Sequence, residues 1–125
     1  WVDELKNDNV IAALKPYTLH TFMFGDEVIP GVRAMDTSGH TPGHVSYLVD
    51  DQLIIAGDIM HFPEIQLPNP DVAVRYDVDP EKAVQSRKFL LDYASWKKVP
   101  VAGMHITPPG VISVKKSGEG YENVK

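Results

Sequence analysis

Two histidines, His40 and His44, flank a Thr-Pro-Gly core in the stretch T37-S-G-H-T-P-G-H-V-S-Y47. On a helix, a spacing of four would set both imidazoles on one face, a zinc-binding arrangement, but Pro42 and Gly43 between them break any helix. The stretch reads instead as a type II turn, with proline second and glycine supplying a positive φ third. His40 then stands at the entrance of the turn and His44 at the start of the next strand. Two further groups of similar chemistry follow strand-like runs. Asp58 comes directly after Leu53-Ile-Ile-Ala-Gly57, and His105 comes after Val99-Pro-Val-Ala-Gly-Met104 and just before Thr107-Pro-Pro-Gly110. If those strands share a sheet and run in compatible directions, His40, Asp58 and His105 converge at one edge, where imidazole and carboxylate suit Zn²⁺ or a similar cation. Taken singly, each residue also has a plainer reading, because histidine and aspartate populate turns for backbone reasons.

The composition narrows the chemistry further. There is no cysteine, which removes disulfides and thiolate sites and leaves histidine and carboxylates as the strong ligands. A length of 125 residues with 43% apolar residues points to a single domain over 1–125. The net charge of -5 is dispersed along the chain, so no electrostatic footprint for nucleic acid or a membrane surface is present. No apolar run has the length of a spanning helix and no leader is recognisable, so the compartment stays open.

The elements that must position these groups are short strands and one strong helix. Residues 1–14 read as a helix with Leu5, Ile11, Ala12 and Leu14 inward, closed by Pro16. Strands are expected over 17–24 and 28–35 about Gly25-Asp-Glu27, then over 45–49 and 53–56 about Asp50-Asp51. Residues 62–78 are proline-rich and aperiodic and read as a long loop. Asp79 as N-cap, Pro80 at the first helical position and Glu81 in the first turn open a helix to about Lys97, with Ala83, Phe89, Leu90, Tyr93 and Ala94 inward. Strands over 99–104, 111–115 and 121–124 complete the order.

Three elements in order, S-G-H-T-P-G-H, L-I-I-A-G-D and A-G-M-H-I-T-P-P-G, resemble the second half of the metallo-β-lactamase superfamily, from about Gly31 to Val124. The runs G-D-I-M-H-F-P-E-I-Q at 57–66, D-V-D-P at 77–80 and H-I-T-P-P-G at 105–110 resemble most the branch of methyl parathion hydrolase and lactonase-like hydrolases. The resemblance implies an α/β (α+β) fold, half of an αββα sandwich, with a mostly antiparallel or mixed sheet and one main helix at about 80–97. It implies a two-metal hydrolytic centre, with zinc or another divalent ion, in which His40 ligates the first metal, Asp58 bridges both and His105 ligates the second. Water activated there would attack an ester, lactone or phosphotriester-type bond of a small-molecule substrate. His44 is expected to be a hydrogen-bonded strand-end histidine, His20 to be structural, and His61 to lie near the mouth of the site or simply in solvent. The loop 61–77, with Phe62, Ile65 and Leu67, either walls a substrate pocket or covers surface.

The family builds the other side of its site from H-x-H-x-D-H, and no such string occurs here. Three ligand positions remain, two for each ion if Asp58 bridges. The chain is therefore expected to be the carboxyl-terminal portion of a longer hydrolase, a reading that its start at Trp1 supports, and to bind metal weakly alone. Its inner sheet face, with Leu48, Ile54 or Ile55 and Val101, would lie open and self-associate, as a two-fold dimer, or await the missing amino-terminal half. The competing reading is a non-catalytic binding or assembly module that keeps the fold without the active centre. A closed structural zinc site is a third, and it lacks the customary fourth ligand.

Overall fold

The computed structural model of the chain describes residues 8–124. Six strands form one mixed sheet in sequence order: β1 (Glu27–Ile29), β2 (Val32–Asp36), β3 (Val45–Val49), β4 (Leu53–Ile55), β5 (Val101–Ala102) and β6 (Val111–Ile112). Neighbours are antiparallel except β4 and β5, which run parallel. That parallel pair needs a long crossover, and the main helix supplies it. Helices α1 (Asp8–Leu14) and α2 (Pro63–Gln66) are short, whereas α3 spans Pro80–Lys97. A hairpin of β7 (Val114–Ser117) and β8 (Gly120–Asn123) closes the chain. The class is thus α/β with a mixed sheet.

The predicted helix boundaries agree with α3. Asp79 accepts a hydrogen bond from the Lys82 N–H at 3.0 Å, and Lys98 ends the helix in the left-handed region at φ 57°. Its buried stripe is Ala83, Ser86, Arg87, Leu90, Leu91 and Ala94. Phe89, expected inward, is 52% exposed, because the helix turns that position away from the sheet. Register and pleat set Met35, Leu48, Ile54, Val101 and Ile112 on the face that meets α3, and all five are buried. Leu90 lies at the centre of this layer, fully buried. Leu90→Ala should cost about 2–5 kcal/mol, read as a lowered midpoint in urea unfolding.

Several expectations need correction. Residues 17–24 form no strand, and Tyr17, Leu19 and Met23 are well exposed, because β-propensity becomes a strand only where a partner strand is at hand. The single strand expected over 28–35 is split by Pro30-Gly31, where Gly31 takes φ 81° and folds β1 back on β2. Residues 63–66 are helical within the expected loop, started by Pro63 at a helix N-terminus. Of the predicted helix, Asp8–Leu14 is helical, with Ala12 and Leu14, expected inward, exposed; residues 1–7, with Leu5, lie outside the described residues, and the side chain of Ile11 lies outside the described side chains.

The open apolar face is real but differs in membership. Leu48, Ile54 and Val101 face the helix and are buried, whereas Ile55 lies on the opposite face, 41% exposed. Tyr47, Ile55 and Val111 share that opposite face by register, with Val45, Val49 and Leu53, all half-buried or exposed. On this face Ala34, opposite Tyr47, is buried, and the Phe22 ring lies 6.5 Å from that of Tyr47.

Candidate metal centre

Strands β2, β4 and β5 all point the same way, since each antiparallel step between β2 and β4 reverses direction once and β4 is parallel to β5. The segments that leave their carboxyl ends therefore gather at one edge. His40 follows β2, Asp58 sits in the 3₁₀ turn Gly57–Ile59 after β4, and His105 follows β5. Asp58 reaches both imidazoles with different oxygens: Oδ2 is 3.7 Å from His40 Nε2, and Oδ1 is 3.2 Å from His105 Nε2. Ligand atoms around one zinc, bonded at about 2.0–2.2 Å, lie roughly 3.3–3.6 Å apart, so each separation is of the size that an ion between the pair imposes. The donor set of imidazole nitrogen and carboxylate oxygen fits a divalent zinc-like cation.

His40 is held from behind. The Gly39 and His40 carbonyls accept from the Asp79 and Val78 N–H groups at 2.9 and 3.1 Å, and Ser86 Oγ donates to the Ser38 carbonyl at 2.6 Å. Gly39 has φ 132°, and a Cβ there would run into the backbone of Ala83, so only glycine lets this loop approach α3. The result brings His40 Nδ1 within 3.0 Å of Asp77 Oδ1. A carboxylate accepts only, so His40 donates from Nδ1 to Asp77, which leaves Nε2 facing Asp58. Asp77 Oδ2 accepts from the Val74 N–H at 3.0 Å and faces Arg87 Nη2 at 3.9 Å. Arg87 is fully buried, and donates from Nε to the Ile59 carbonyl and from Nη1 to those of Pro70 and Val72, each at 2.8 Å. One guanidinium thereby ties the 59–72 segment, Asp77 and α3 together.

Asp58 is held by His44. The Asp58 N–H donates to His44 Nε2 at 2.9 Å, and His44 Nδ1 donates to the Thr37 carbonyl at 3.0 Å. Gly57 has φ 64°, and a Cβ there would sit 2.7 Å from His44 Nε2, so the close approach requires glycine. Burial lowers the proton affinity of His44 below its ordinary value of 6.5. With the folded value beneath the unfolded one, the stability that this histidine contributes is complete above about pH 6.5 and is lost as pH falls toward the folded value. Thermal melts should therefore show Tm falling between pH 7.5 and 5.5, with a smaller fall in His44→Gln.

The turn that contains His40 and His44 is closed by the His44 N–H to the Thr41 carbonyl at 3.1 Å. Gly43 is not in the left-handed region, so the turn is not the expected type II. His20 is exposed on irregular chain rather than structural on a strand. Leu67 belongs to the core at 5% exposure, and Phe62 and Ile65 are exposed. Asp77 and Arg87 escaped the sequence reading. The first stands two residues before an N-cap and reads as part of the cap, and the second reads as a polar residue on a helix. His61 lies among the other imidazoles, its ring stacked on His105 at 4.5 Å and 5.1 Å from that of His40.

This architecture, with its histidine and carboxylate cluster at one sheet edge, recurs in solved structures. Over 94% of its length it matches the hydrolase AbOPH of the beta-lactamase superfamily, with a TM-score of 0.83 and 30% identity. It matches AidC, a dizinc quorum-quenching lactonase solved with the product N-hexanoyl-L-homoserine, over 93% with a TM-score of 0.83 and 25% identity. A probable metal-dependent hydrolase from Staphylococcus aureus matches over 82% with a TM-score of 0.66 and 20% identity, a likeness of fold alone. These structures are metallo-β-lactamase superfamily hydrolases, and the chain has their fold over the part that it shares with them. The chain spans 43% of the first, 40% of the second and 38% of the third. No family model and no curated protein matches it.

Proposed function

We propose that the chain forms the carboxyl-terminal side of a dinuclear zinc hydrolase centre, in which His40 and His105 ligate separate ions and Asp58 bridges them. The observation that carries this reading is the Asp58 carboxylate, whose two oxygens face two different imidazoles at 3.7 and 3.2 Å. When bound, the ions supply Lewis acidity and lower the pKa of water toward neutrality. The chain's own residues do the rest: Asp77 fixes the His40 tautomer, His44 fixes the Asp58 backbone, and Arg87 holds the wall behind both. The reaction is hydrolysis of an ester, lactone or phosphotriester-type bond in a small molecule, with a lactone favoured by the likeness to AidC.

The remaining ligands come from outside these 125 residues, in keeping with the share of each matched structure that the chain spans. The segment that carries them also covers the sheet face of Tyr47, Ile55 and Val111. Without it, a second copy covers that face. Size-exclusion chromatography with light scattering at micromolar concentration should give about twice 13.9 kDa, and a clean monomer at 13.9 kDa would contradict this. The absence of H-x-H-x-D-H favours a second reading for the chain alone, a fold that assembles but does not catalyse. Elemental analysis separates the two. Bound zinc that disappears in a His40→Ala/His105→Ala double variant supports the metal centre, and zinc missing from both proteins removes it.

A further inference from the structure

We propose that the chain holds one divalent cation with its own side chains, through Asp58, His105 and His61. The inference rests on the reading above only in taking Asp58 and His105 as ligands. It adds a third protein ligand that neither the sequence pattern nor the bridging geometry supplies. Asp58, His61 and His105 each offer one ligand atom, and the three atoms all lie within 4.8 Å of one another. The Asp58–His105 edge of this triangle, at 3.2 Å, already has the span of two ligands on one ion.

Among the described residues, ring contacts with His105, His40 and Phe62 place the His61 side chain, but neither of its ring nitrogens has a hydrogen-bond partner, and Nδ1 is buried. Its backbone, by contrast, is fixed: the His61 and Phe62 N–H groups both donate to Gln66 Oε1, at 2.8 and 3.0 Å. Gln66 is fully buried and donates in turn to the Val72 carbonyl at 3.0 Å. A pinned backbone that presents an unpartnered imidazole against a carboxylate and a second imidazole is a preformed ligand set. Two histidines and one carboxylate match the three-protein-ligand zinc site that leaves a fourth position open.

Calorimetric titration of the chain with zinc chloride in a non-chelating buffer tests this. The unaltered chain should bind one equivalent. His61→Ala should weaken binding about 10-fold or more, a scale that even groups behind the ligands reach, whereas His20→Ala should leave it unchanged. Long-range ¹H–¹⁵N spectra of the histidine rings guard against a misfolded variant, since they use the unaltered chain. Zinc should move the His61 and His105 ring nitrogens and leave those of His20 in place. A His61 ring that zinc does not move, or a folded His61→Ala that binds as the unaltered chain does, would overturn the proposal. Zinc bound through His61 in an enzyme that hydrolyses no ester or lactone would instead refute the hydrolase reading and leave this one standing.

Discussion

Asp58→Asn should remove divalent-metal binding at the strand edge while the chain keeps its fold. Asparagine preserves the volume and the backbone N–H that donates to His44, and the side chain is 38% exposed, so stability should change by no more than about 0.5 kcal/mol. The metal loses far more. Among the described residues, Asp58 is the group whose oxygens face both His40 and His105, and an amide offers a neutral oxygen on one side and N–H groups on the other. Replacing partners that merely orient a ligand costs about 10–100-fold in metal affinity, so loss of the shared carboxylate should exceed that range. Parallel calorimetry and urea unfolding check the two halves of this expectation. Wild-type metal affinity in a folded Asp58→Asn would show that the carboxylate is not a ligand.

Asp77→Asn should act in the opposite proportion, with a large loss of stability and a specific change at His40. The Asp77 carboxylate is 1% exposed between His40 Nδ1 and the fully buried Arg87. Burial lowers the proton affinity of Arg87, and the charges on Asp77 and Asp71 oppose that shift. Neutralising Asp77 leaves the guanidinium in the interior with carbonyl partners alone, at a cost of about 3–5 kcal/mol in urea unfolding. An amide N–H turned toward His40 also drives the imidazole to the other tautomer, with its proton on Nε2. Ring ¹⁵N shifts of His40 should report that switch, which a purely structural role for Asp77 would not produce. The ion on His40 should then weaken about 10–100-fold in the complete centre.

The parts of this molecule that were legible in the sequence are those set by local chemistry. Asp79-Pro80-Glu81 marks the start of α3 because a cap, a first-turn proline and an acidic first turn act within a few residues. The apolar run before Gly57-Asp58 marks β4, and the histidines either side of Pro42-Gly43 mark the turn that leads into β3. What escaped depends on distant partners. Residues 17–24 have the composition of a strand but no strand to pair with, and which face of β4 is buried turns on its register with β3. His40 and Asp77 are far apart in the chain, and the hydrogen bonds from Val78 and Asp79 to the 39–40 loop are what bring them together. Pro30-Gly31 did carry a local signal, a proline followed by a residue free to take φ 81°, and it outweighs the strand-like composition around it.

Anomalous diffraction at the zinc edge, from crystals of the chain grown with zinc, bears most directly on the bridging carboxylate. A zinc peak about 2.0–2.2 Å from an Asp58 oxygen, with His105, His61 or His40 in its shell, is expected. Zinc found only at other sites, with Asp58 still hydrogen-bonded to His105 and His40 still bonded to Asp77, would contradict a metal centre at this edge.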